Sequence, residues 1–111
     1  VDKVEAARRL IEGFSSAFRG FIVDPSLDDP SIFKDVLRGC GVGSLVSFSR
    51  IGNSDLQLIR VNGRPCEAKC RYEECPEGGA KCIDGCVSRC VEERARQIVL
   101  KLKATYLGSQ A

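Results

Sequence analysis

The chain has 111 residues, 43% hydrophobic and 29% charged, with a formal net charge of +2. These values fit one globular domain with a modest core; the charge is too small to make nucleic acid an expected partner, and no apolar run reaches the length of a membrane span. Histidine is absent, so acid–base catalysis would fall on Asp, Glu, Lys or Tyr, and none of these is grouped in a recognisable way.

Residues 2–22 read as an amphipathic helix, because Val4, Ala7, Ile11, Phe14, Phe18 and Phe21 recur at intervals of three and four. Phe14, Phe18 and Phe21 are the candidate lining of a pocket for a small apolar ligand, with ordinary core as the simpler reading of the same stripe. Gly13 and Gly20 weaken the helix or allow a close approach. The acidic connection Asp24-Pro25-Ser26-Leu27-Asp28-Asp29-Pro30 lacks the glycine and ligand spacing of a calcium loop and reads as a solvated turn. Asp29 followed by Pro30 starts a short helix that turns Ile32, Phe33, Val36 and Leu37 inward and stops at Gly39.

Gly41-Val42-Gly43 precedes a strand, so it offers no helix N-terminus to a phosphate. Residues 45–51 and 56–61 are two strands joined by the turn Gly52-Asn53-Ser54-Asp55. A hairpin alone is marginal, so it must pack on the helices, and an exposed edge can pair with a second copy in a homodimer.

Six of the seven cysteines fall in the last part of the chain, in a nearly mirror-symmetric order. Cys66, Cys70 and Cys75 precede Pro76-Glu77-Gly78-Gly79, and Cys82, Cys86 and Cys90 follow it. Residues four apart share a helical face, so pairing outward from the turn gives Cys75–Cys82, Cys70–Cys86 and Cys66–Cys90 across an antiparallel helical hairpin. Beside the cysteine row of the second helix runs the apolar stripe Ile83, Val87, Val91, Ala95, Ile98 and Leu102. Cys75 lies five residues after Cys70, off the stripe, and belongs in the turn.

Three chemistries can use this array. Disulfides come first, each worth roughly 2–4 kcal/mol and less when the loops are nested. A zinc ion or an iron–sulfur cluster held by Cys66, Cys70, Cys86 and Cys90 is the alternative, and reduced cysteines serving as small core residues are the third. A thiol oxidoreductase is disfavoured by the lack of a Cys-x2-Cys motif. Cys40, between two glycines, is the odd one, either buried, free or paired between chains. In the last helix Arg94, Arg96, Lys101 and Lys103 are interrupted by Glu92 and Glu93, which favours a solvated face over a nucleic-acid surface.

Four segments together resemble the V4R domain, a relative of the Bet3-like trafficking fold. They are Leu10-Ile11-Glu12-Gly13-Phe14, the strand opening at Gly41-Val42-Gly43, Arg60-Val61-Asn62 at the close of the hairpin, and Lys81-Cys82-Ile83-Asp84-Gly85-Cys86 at the start of the last helix. The resemblance implies a dimeric module that binds a small apolar ligand and passes a signal to a partner. The paired Cys-x3-Cys spacing is also similar to that of small chaperones of the mitochondrial intermembrane space.

The expected fold is α+β in a single domain over 1–111. Two N-terminal helices and a β-hairpin occupy 1–63, and a cysteine-stapled antiparallel helical hairpin with a long C-terminal helix occupies 64–107. The expected function is a non-catalytic interaction or small-ligand-binding module, disulfide-stabilised and homodimeric, with no cofactor. A cysteine-ligated zinc or iron–sulfur protein is the alternative and a nucleic-acid-binding regulator the second. The chain begins at Val and contains no Met, so an N-terminal segment can have been removed. Staples fit an oxidising extracytoplasmic compartment or the cytoplasm of a hyperthermophile, and the lack of His and Met leans toward the latter.

Overall fold

The computed structural model describes residues 2–16 and 20–108. Its elements in order are α1 (Lys3–Ser16), β1 (Phe21–Val23), α2 (Pro30–Gly39), β2 (Val46–Arg50), β3 (Gln57–Val61), α3 (Arg64–Lys69) and α4 (Ala80–Leu102). Single π turns, Cys70–Glu74 and Lys103–Leu107, follow α3 and α4, and a 3-10 turn, Gly43–Leu45, leads into β2. The expected α+β order is present, with one correction at its start.

The helix expected over 2–22 gives way to a strand before its end. Phe21 fits the helical spacing, yet Phe21–Val23 pairs antiparallel with β3, Phe21 opposite Ile59. An aromatic and two β-branched residues suit a pleated surface, and Gly20 prepares the approach with a φ of 108° that other residues rarely adopt. A Cβ at Gly20 would also run into the Ile59 carbonyl and Arg60. The sheet therefore has three strands, in the order β1-β3-β2, all antiparallel.

Alternation along the strands divides the sheet into two faces. Phe21, Val23, Val46, Phe48, Ile59 and Val61 look toward the helices, and Ile22, Ser47, Ser49, Leu58 and Arg60 look out. Against the inner face lie Ala6, Ala7, Leu10 and Phe14 of α1, Phe33, Val36 and Leu37 of α2, and Ala95, Ile98 and Leu102 of α4. Both N-terminal helices are capped by carboxylates. Asp2 Oδ1 accepts from the Glu5 N–H at 2.8 Å, and Asp29 Oδ1 from the Ser31 N–H at 2.9 Å. The serine bonds hold the Asp29 carboxyl below the usual carboxylate range, as bonds from Ser26 do for Asp24.

At 23 residues α4 is about 35 Å long, more than the core beneath it can cover. Its C-terminal half lies in the main core. Its N-terminal half leaves the sheet and pairs with α3 as an arm, where the buried residues are Cys66, Cys70, Cys75 and Cys86, with half-buried Ile83 and Val87 packed against the last three. No helix of the described residues is long and apolar enough to cross a membrane.

Candidate functional site

The arm is held by three disulfides, Cys66–Cys90, Cys70–Cys86 and Cys75–Cys82, with Cα separations of 5.7, 5.7 and 6.0 Å. The first two join the same two helical segments one turn apart. The third closes the hairpin tip. In an unbroken α-helix a residue five positions on is rotated about 140° away, so Cys75 would point off the cystine row. The π turn corrects this: the Cys75 N–H bonds to the Cys70 carbonyl at 2.7 Å, widening the last turn enough to aim Cys75 at Cys82. Bonded sulfurs are not thiolates, so these disulfides and a tetrathiolate metal site on Cys66, Cys70, Cys86 and Cys90 are mutually exclusive uses of the same atoms.

Two grooves flank the arm. One, of about 510 Å³, has Cys70, Cys86 and Cys90 in its floor and Lys69, Arg89 and Arg94 in its walls together with the carboxylates Glu74 and Glu93. The other, of about 710 Å³, lies between the arm and the outer face of the sheet. Ser47, Ser49 and Arg60 form its floor, Val87 and Val91 an apolar wall, and Arg64 and Glu67 stand at its rim. Neither Arg60 nor Arg64 has an ion-pair partner among the described residues. Arg96 of α4, by contrast, is engaged by Glu92 at 2.7 Å and Glu93 at 3.3 Å.

The aromatic residues singled out in the sequence are partly brought together. Phe14 is buried and meets Phe21 edge-on with ring centroids 6.0 Å apart; Phe21 meets Phe33 in the same way at 6.1 Å. Phe18 lies outside the described residues. Phe33 is the third ring of the cluster, supplied by α2. Gly13 makes room for it all, since a Cβ there would overlap the Phe21 ring. Phe21 and Phe33 also floor an open groove of about 450 Å³ beside Leu27 and the Arg9–Asp28 ion pair.

Cys40 is unpaired and half-buried at the end of α2, its Sγ 3.5 Å from the Leu37 carbonyl. Burial raises its pKa above the ordinary thiol value, which keeps it protonated at neutral pH. Nearby, Tyr106 donates its hydroxyl proton to the Val36 carbonyl at 2.6 Å, satisfying an acceptor in the last turn of α2. Burial also raises the Tyr106 pKa, with Cys40 and Asp35 adding to the effect.

The outer edge of β2 completes the candidate surfaces. Leu45 O accepts from Asn62 N–H and Ile51 N–H donates to Leu56 O, so Ser47 and Ser49 also exchange their bonds with β3. The backbone groups of Val46, Phe48 and Arg50 therefore face away from the sheet. The Val46 N–H is taken by the Gly43 carbonyl, while Val46 O and both groups of Phe48 and Arg50 lie along the open edge. No family model, curated protein or solved structure matches the chain.

Proposed function

We propose that the protein is a non-catalytic interaction module that acts as a homodimer, with the disulfide-stapled arm as a fixed wall beside a ligand cleft. The open edge of β2 carries this reading. Strand edges are ordinarily blunted by proline, by bulges or by charge, and β2 has only Arg50, at its far end. Antiparallel pairing of β2 with its copy about Phe48 forms two Phe48 N–H to Phe48 O bonds and two Arg50 N–H to Val46 O bonds. Ser47 then faces Ser49 of the second copy, and no like charges meet.

Five-residue strands alone bury less than the roughly 1,200 Å² of a stable interface, so the helices must contribute. Helix α2 is placed to do so. Lys34 Nζ lies 5.1 Å from the Phe48 ring centroid, which brings the two α2 helices together across the axis. The pairing keeps the outer faces of both sheets on one side, and the two clefts beside Arg60 remain open there. Each suits a ligand with an apolar body for Val87 and Val91 and an anionic group for Arg60 and Arg64, whose two charges outweigh that of Glu67 in the same lining. Catalysis has no support in the cleft, because Asp24, Asp29, Cys40 and Tyr106, whose pKa values are shifted, all lie outside it.

Light scattering on the eluting protein tests the reading. The native chain should run with twice its chain mass. Arg50→Pro, which removes an outward N–H without touching a bond to β3, should give a monomer with an unchanged circular dichroism spectrum. A monomeric native protein at about 100 μM, or a dimeric Arg50→Pro variant, would contradict it.

A further inference from the structure

We propose that Cys66, Cys70, Cys86 and Cys90 form a second structure, a zinc site, when their two disulfides are reduced. The inference does not rest on the dimer. Two observations carry it: the placement of the four cysteines and the charge of the groove above them.

The two disulfides bridge α3 and its π turn to α4 at levels one turn apart, each with Cα atoms 5.7 Å apart. Along each segment the four-residue spacing is about 6 Å. The four cysteines thus occupy the corners of a near-square, with their side chains directed at one another. Tetrahedral zinc holds four thiolates at about 2.3 Å, and sulfurs released at corners this close are within reach of such a shell. Cys75 and Cys82 sit at the tip beyond the π turn and are not part of the square.

A zinc ion with four thiolates carries two negative charges, which a site of this kind must compensate. The 510 Å³ groove that reaches Cys70, Cys86 and Cys90 carries Lys69, Arg89 and Arg94 in its walls. Against Glu74 and Glu93, which share the lining, the three cations leave a small positive excess that favours thiolate over thiol, and the groove gives reductant and metal a route to otherwise buried sulfurs.

The chemistry balances with a dithiol as reductant. Each disulfide takes two electrons and two protons from one dithiol, which leaves as its own disulfide, so two dithiols yield four cysteine thiols. Zinc then displaces four protons and forms four Zn–S bonds. The arm exchanges two disulfides between its segments for a single four-sulfur crosslink.

The test uses the full chain, reduced with a phosphine without oxygen, desalted, and given one equivalent of Zn²⁺ before alkylation and mass mapping. Cys40, Cys75 and Cys82 should be alkylated and the other four protected until a chelator is added. Co²⁺ in place of Zn²⁺ should give the absorption of a tetrathiolate. The double variant Cys75→Ser/Cys82→Ser should retain one zinc per chain, and Cys70→Ser/Cys86→Ser should retain none. Alkylation of all seven cysteines at equal rates with zinc present, or protection that includes Cys75 and Cys82, would overturn the proposal. The oxidised protein's mass in solution reads the dimer separately, so the two readings fail independently.

Discussion

Gly13 shows how a single residue sets the packing of the body. It lies inside α1, where replacement by alanine would ordinarily raise helix stability by about 1 kcal/mol. Here the added methyl meets the Phe21 ring, which can yield toward the groove only by giving up its edge-on contacts with Phe14 and Phe33. The packing cost outweighs the propensity gain. Gly13→Ala is expected to lower stability by about 1–3 kcal/mol in urea denaturation, and a more stable variant would show that Phe21 does not sit against α1 as described. In the same geometry Phe14, Phe21 and Phe33 fill one another's space, and Phe21 and Phe33 reach the open groove by Leu27.

At the scale of elements, the disulfides decide whether the arm exists. Sequence separations of 24, 16 and 7 correspond to about 3.5, 3 and 2.5 kcal/mol of chain entropy if each closed its loop alone. Because the loops are nested, the outermost bond closes only a short additional loop, and its contribution falls to about 2–3 kcal/mol. Cys66→Ser and Cys90→Ser should each lower thermal stability by a similar amount, and the double variant should cost little more than either, since all three remove one bond. Additive losses would place the two sulfurs in different bonds. This hairpin was legible in the sequence because four-residue spacing and mirror order are both local signals, and α2 was legible for the same reason, from Asp29-Pro30 to Gly39. β1 was not. Phe21 satisfied the helical period, and what makes residues 21–23 a strand is pairing with β3, a partner far along the chain; Gly20 was the available signal. The two strands of the hairpin were legible as apolar runs around Gly52-Asn53-Ser54-Asp55, while the polar outer face that Ser47 and Ser49 give the sheet emerges from the pairing of β2 with β3. The cleft beside that face depends on the angle at which α4 leaves the core, which no periodicity records.

On the scale of the whole molecule, the chain is a packed body with an arm that has little core of its own. Leu10, Phe33, Ile59, Ile98 and Leu102 are fully buried in the body. In the arm, Cys66, Cys70, Cys75 and Cys86 supply the buried residues, and Ile83 and Val87 are only half-covered. A helical pair with so little apolar burial cannot offset the entropy of ordering its backbone, so the crosslinks must hold it. The body needs no such help. Hydrogen exchange followed by mass spectrometry, on the oxidised protein and on protein reduced in the presence of a chelator, tests this most directly. Reduction should abolish amide protection across 64–90 while α1, β3 and residues 95–102 keep theirs. Equal protection of the arm in both states, or simultaneous loss across the whole chain, would contradict the account.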